Sequence, residues 1–83
     1  MNPIFLYGVF ETNRKHKLPD LNLGMAHYRV DHPEITDDEA NAAMEFIGRH
    51  YDELVEAYAI GSMTFLEVVS QCEAADKEAE ANV

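Results

Sequence analysis

Apolar residues follow three different rules along this chain. From Ile4 to Phe10 they are almost continuous, as IFLYGVF. The run is rich in aromatic and branched side chains and short for an independent helix, so it predicts a buried strand. A helix start is also written there, because Asn2 can cap and Pro3 suits the first helical position. Residues 11–24 mix charges with Pro19 and Gly24 and read as a loop. Met25 to Val30 alternates: Ala26, Tyr28 and Val30 point one way, and Met25, His27 and Arg29 the other. That period predicts a second, half-buried strand, antiparallel to the first. Pro33, with no N–H to give a ladder, stops it.

The third rule is helical. Thr36 followed by Glu39 forms a capping box, with Asp37 and Asp38 in the first turn, where negative charge suits the helix dipole. Ala40, Ala43, Met44, Ile47, Tyr51, Leu54, Val55 and Tyr58 then recur at helical spacing, which predicts one long helix to about Ile60. Gly61 is expected to close it in a left-handed conformation. Phe46 falls outside the apolar stripe. Beyond Gly61, Ser62 or Thr64 can cap another helix with Phe65, Leu66, Val69 and Cys72 on its apolar face. The short connection makes the two helices an antiparallel hairpin.

Together these elements predict an α+β fold that is mostly α. A short N-terminal strand pair, or an N-terminal helix in its place, packs on a C-terminal two-helix hairpin. Residues 1–75 are expected to form a single compact domain. Residues 76–83 have helical propensity but little apolar surface to bury, and are expected to fray into an acidic tail.

Composition narrows this picture. The chain has 83 residues and a single cysteine, Cys72, so an intrachain disulfide and a tetrathiolate zinc site are both excluded. A core this small is marginal, which makes tight packing or association with another chain, a homodimer included, the expected source of added stability. No run approaches the roughly 18 apolar residues of a membrane span. The apolar N-terminus lacks both a preceding basic residue and a small-residue cleavage site, a poor match to a signal peptide. With a free thiol, these features point to the cytoplasm, that of a bacterial host if the chain is phage-encoded.

Charge changes the functional picture most. The net charge is −10. Residues 1–30 carry a net +2, while residues 31–83 carry fourteen acids against Arg49 and Lys77. Such a half repels nucleic acid and anionic lipid and attracts basic protein surfaces, so neither direct nucleic-acid binding nor a membrane partner is expected. On the long predicted helix, Asp38, Glu45, Asp52 and Glu56 fall within about 40° of one another, opposite the apolar stripe. Such arrays can stand in for phosphates in the Arg/Lys groove of a nucleic-acid-binding enzyme. In size and charge the chain resembles small phage-encoded antagonists of restriction or CRISPR complexes. It carries no motif of a named family.

The expected function is therefore a non-enzymatic acidic inhibitor that binds the basic surface of a nucleic-acid-binding protein. Asp38, Glu45, Asp52, Glu53 and Glu56 are its candidate contacts, with Glu67 and Glu73 in support. The alternative is a structural or adaptor subunit that self-associates through Phe46, Tyr58 and Phe65, with Tyr7 and Phe10 beside them. Other chemistry is poorly supported. His27, His32 and Glu34 could form a metal group, but no pair of histidines stands at i, i+4 and His-Glu-x-x-His is absent. A thiol among carboxylates is a poor nucleophile. Ser62 and Ser70 lack the setting of a nucleophile elbow. Neither a cofactor nor a metal is expected.

Overall fold

The computed structural model describes residues 1–81, which form five helices: α1 (Pro3–Lys15), α2 (Leu21–Asp31), α3 (Asp37–Arg49), α4 (Tyr51–Ile60) and α5 (Ser62–Ala81). Among the described residues there is no strand, so the α+β fold with a strand pair is corrected to an all-helical one.

The N-terminal run is helical because its apolar residues can be divided between two sides. Phe5, Leu6, Val9 and Phe10 are buried, one side of a helix, while Ile4 is 71% exposed. A run of apolar residues hides this period, since a strand and a buried helix read alike over seven positions. The start signal decides between them. Asn2 Oδ1 accepts from the Ile4 N–H at 2.9 Å, and Pro3 takes the first helical position.

The supposed second strand lies inside α2. Asp20 caps that helix by accepting from the Leu23 N–H at 3.0 Å. Gly24 and Met25 are buried and Leu21 and Tyr28 are half-buried, a 3.6-residue pattern beneath the apparent alternation. Val30, which alternation places on one side with Tyr28, is 78% exposed.

Two glycines let α1 and α2 approach closely. A Cβ on Gly8 would stand 2.5 Å from Cε1 of Tyr28, and one on Gly24 would stand 2.8 Å from Cβ of Asn13. Each helix thus offers a bare backbone to a side chain of the other.

The capping box of α3 forms in both directions. The Glu39 N–H donates to Thr36 Oγ1 and the Thr36 N–H donates to Glu39 Oε1, each at 3.1 Å. Arg29 links α2 to this start, donating to the Ile35 carbonyl at 3.0 Å and to Asp37 Oδ1 at 2.8 Å.

The long helix expected to run to Ile60 is interrupted. His50, at φ −124° and ψ 29°, ends α3 and precedes α4. The break shifts the buried face. Ala40, Ala43, Phe46 and Ile47 are buried on α3, and Leu54 and Ala57 on α4, whereas Tyr51 and Val55 of the expected stripe lie exposed. Phe46 belongs to the core as a result.

Gly61 alone joins α4 to α5. At φ 159° and ψ 169° it is extended rather than left-handed helical. Side-chain bonds pair position 50 with 76 and position 53 with 72, the falling register of antiparallel helices. Phe65, fully buried, sits at the centre of an aromatic cluster, its ring centroid 5.1 Å from Phe10, 5.6 Å from Tyr7 and 6.1 Å from Tyr58. The expected tail is helical as far as Ala81. Residues 82–83 of it lie outside the described residues.

Candidate functional site

The candidate carboxylates are distributed over three helices. Asp38 and Glu45 stand on α3, Asp52, Glu53 and Glu56 on α4, and Glu67 and Glu73 on α5. The break at His50 means that they are not one stripe on one straight axis. Spacing between Glu45 and Asp52 is set by the bend between two helices, not by two turns of a single helix.

Their surroundings separate them into two groups. Asp38, Glu45, Asp52, Glu56 and Glu67 are exposed and make no ion pair among the described residues. Glu73 is half-buried and pairs with the amino group of Met1 at 2.7 Å. Glu53 is exposed, and one of its oxygens accepts from the Cys72 thiol at 3.2 Å. The arginines that pair use other acids. Arg29 holds Asp37 at 2.8 Å and Arg49 holds Asp76 at 3.0 Å. That guanidinium, with His50 beside it, holds the Asp76 carboxyl below the usual carboxylate range.

Between α4 and α5 lies a groove in which two of the candidate acids meet apolar surface. Ala57, Ile60 and Val68 line it together with Glu53 and Glu56. Carboxylates beside an apolar wall fit a Lys or Arg side chain, whose stem is apolar and whose head is charged.

The alternative contact residues are placed otherwise. Phe46 is 3% exposed and Phe65 fully buried, both inside the chain's own core. Tyr58 is half-buried and its hydroxyl donates to Glu11. Tyr7 is half-buried and Phe10 buried in the same cluster. The large apolar side chains left to solvent are different ones, Ile60 and Met63 among them, on either side of Gly61.

Of the histidines, His32 lies 3.2 Å from Glu34, and His27 packs against His16 with tilted rings and centroids 4.9 Å apart, so the two do not share one group. A different set does come together. One ring nitrogen of His50, one carboxylate oxygen of Glu53 and Cys72 Sγ lie within 4.8 Å of one another. The sequence had one signal for it, His50 and Glu53 at i, i+3. Cys72 joins them only through the register of the hairpin.

Neither a family model, nor a curated protein, nor a solved structure matches this chain.

Proposed function

We propose that this chain is a non-enzymatic interaction module that presents carboxylates to the basic, nucleic-acid-binding surface of a larger protein, as an inhibitor of the anti-restriction or anti-CRISPR type does. One observation carries the proposal: Asp38, Glu45, Asp52, Glu56 and Glu67 are exposed and make no ion pair among the described residues. Unpaired like charges repel one another and weaken a small fold, so a partner's cations are their natural complement. The groove rimmed by Glu53 and Glu56 adds a place for the stem of a partner's Lys or Arg. Such a partner would be met in the cytoplasm of the cell that expresses the chain.

The test is affinity capture from host lysate at low and high salt, repeated with Glu45→Lys/Asp52→Lys. The expected result is a nucleic-acid-handling protein, released by salt, displaced by competing DNA or RNA, and lost in the variant while its circular dichroism is unchanged. Binding that survives the double reversal would overturn the assignment of the surface.

A second reading rests on a different observation. Ile60 and Met63, 68% and 81% exposed, place two large apolar side chains around the α4–α5 corner. A structural or adaptor subunit would use that corner, with the acids serving solubility. Its mark is a salt-insensitive oligomer in a solution mass measurement, dissociated by Met63→Ser.

A further inference from the structure

Four side chains where the start of α4 meets the middle of α5 have the chemistry and the placement of a metal centre. His50 stands at the break before α4, Glu53 one turn later, and Cys72 and Asp76 at i, i+4 on α5. A ring nitrogen of His50, a carboxylate oxygen of Glu53 and Cys72 Sγ are mutually within 4.8 Å. In a tetrahedral zinc site, bonds of about 2.0–2.3 Å put neighbouring ligand atoms roughly 3.3–3.8 Å apart. The Glu53–Cys72 pair, at 3.2 Å, already stands close to that spacing. The other separations, at most 4.8 Å, reach it by closing no more than about 1.5 Å.

Asp76 adds an observation of another kind. Its Oδ1 lies 2.9 Å from His50 Nε2. An imidazole bound to a metal through one nitrogen almost always gives its other N–H to a carboxylate or carbonyl, which fixes the ring and raises its basicity. Asp76, held against Nε2, is such an outer partner for a metal that takes the imidazole through Nδ1. Access also fits. Cys72 is buried, the His50 side chain is 13% exposed, and Glu53 faces solvent, so the donors lead inward from the surface.

We propose that His50, Glu53 and Cys72 bind a single thiophilic divalent cation of the zinc type, with Asp76 positioning the imidazole. Nitrogen, oxygen and thiolate sulfur are the donors that zinc takes, and soft sulfur disfavours magnesium and calcium. On binding, the Cys72 S–H bond breaks, its proton passes to solvent and a sulfur–metal bond forms. No electrons are exchanged, so no oxidant or reductant is required. Three protein ligands leave a fourth position for water. The cation would tie the bend between α3 and α4 to the middle of α5.

This inference is independent of the inhibitor proposal. Glu53 belongs to both, but His50 belongs only to the metal site, so His50→Ala separates the two failures.

The test is a titration of the metal-free, reduced full chain with Co²⁺ as the spectroscopic probe, followed by Zn²⁺. The expected result is one cobalt per chain, a thiolate-to-cobalt charge-transfer band in the near ultraviolet, and loss of that band as zinc displaces cobalt. His50→Ala and Glu53→Gln should each weaken binding at least about tenfold, and Asp76→Asn by about tenfold. Cys72→Ser should abolish the band. If that core variant does not fold, His50→Ala and Glu53→Gln carry the test, since both side chains reach the surface. Cobalt bound without the band would mean diffuse binding to surface carboxylates and would overturn the proposal. A band unchanged in His50→Ala and Glu53→Gln would also overturn it.

Discussion

The Tyr58 hydroxyl donates to the carboxylate of Glu11, joining α4 to α1 across 47 positions of the chain. Both ionisations are displaced. The bond holds the Glu11 carboxyl below its ordinary value of 4.5, while burial first, and then the hydrogen bond to Glu11 and its charge, push the Tyr58 hydroxyl up to about 12.

The pH dependence follows from those directions. A carboxyl depressed by folding stabilises the fold above its unfolded value, near 4.5, and that stability is lost as pH falls through the lower folded value. A phenol raised by folding stabilises it below its unfolded value of 10.0, and that stability is lost as pH rises toward about 12. Thermal melts between pH 2 and 12 are expected to show both losses. Tyr58→Phe should remove this pair's share of each, at a cost of about 1 kcal/mol at neutral pH once screening of the half-exposed carboxylate is allowed for. Equal pH profiles for Tyr58→Phe and the native chain would deny the pair this role.

Gly24→Ala is expected to destabilise the protein although alanine is the better helix former. The propensity gain is about 1 kcal/mol. Against it, the new Cβ would meet Asn13 Cβ at 2.8 Å, a contact made next to the α1 backbone that no rotamer relieves. Overpacking of this kind costs about 1–3 kcal/mol, so a net loss of roughly 1 kcal/mol is expected in urea denaturation. Gly48→Ala, where an added Cβ meets nothing within 4 Å, is the control and should stabilise.

Thr36→Ala removes the acceptor for the Glu39 N–H and leaves the Glu39 carboxylate without its hydroxyl donor. A cap loss of about 1 kcal/mol is expected, or a fall in Tm of roughly 4–8 °C for a domain of this size. Thr36→Ser should retain most of it.

Cys72 of the metal-free chain should react slowly with iodoacetamide at neutral pH. Burial first, then the Glu53 carboxylate and Asp76, push its thiol from 9.0 up to about 12. The loss of thiolate alone slows alkylation on the order of a thousandfold relative to the same chain unfolded in urea. Rapid alkylation of the folded chain would show that the α4–α5 hairpin opens readily at this point.

Some of the structure is legible in short stretches because the signal and its effect lie within a turn of each other. The Thr36–Glu39 box, the Asn2–Pro3 start and the apolar face of Phe65, Val69 and Cys72 are of this kind. The acidic half of the chain is equally plain, since it depends on composition alone.

Other features were misread because two periods fit the same residues. Phe5 to Phe10 and Met25 to Val30 satisfy a strand pattern over six positions; the caps at Asn2 and Asp20 favour helices, and packing of Tyr28 on Gly8 and of Asn13 on Gly24 joins the two. The only local hint of the break at His50 is Gly48 two positions before it, since glycine weakens a helix interior. The break moves Phe46 into the core, leaves Tyr51 and Val55 outside, and divides the carboxylates between two axes.

By itself, then, the sequence determined the charge, the helix starts at Asn2–Pro3 and Thr36, and the inner face of α5, all properties of neighbouring residues. Tertiary structure alone decided which acids remain unpaired and which donors meet. Glu53 and Cys72 are 19 residues apart, and His50 and Asp76 are 26 apart. Their approach depends on the antiparallel register that follows when a single glycine joins two helices, and no local preference encodes a distance across that turn.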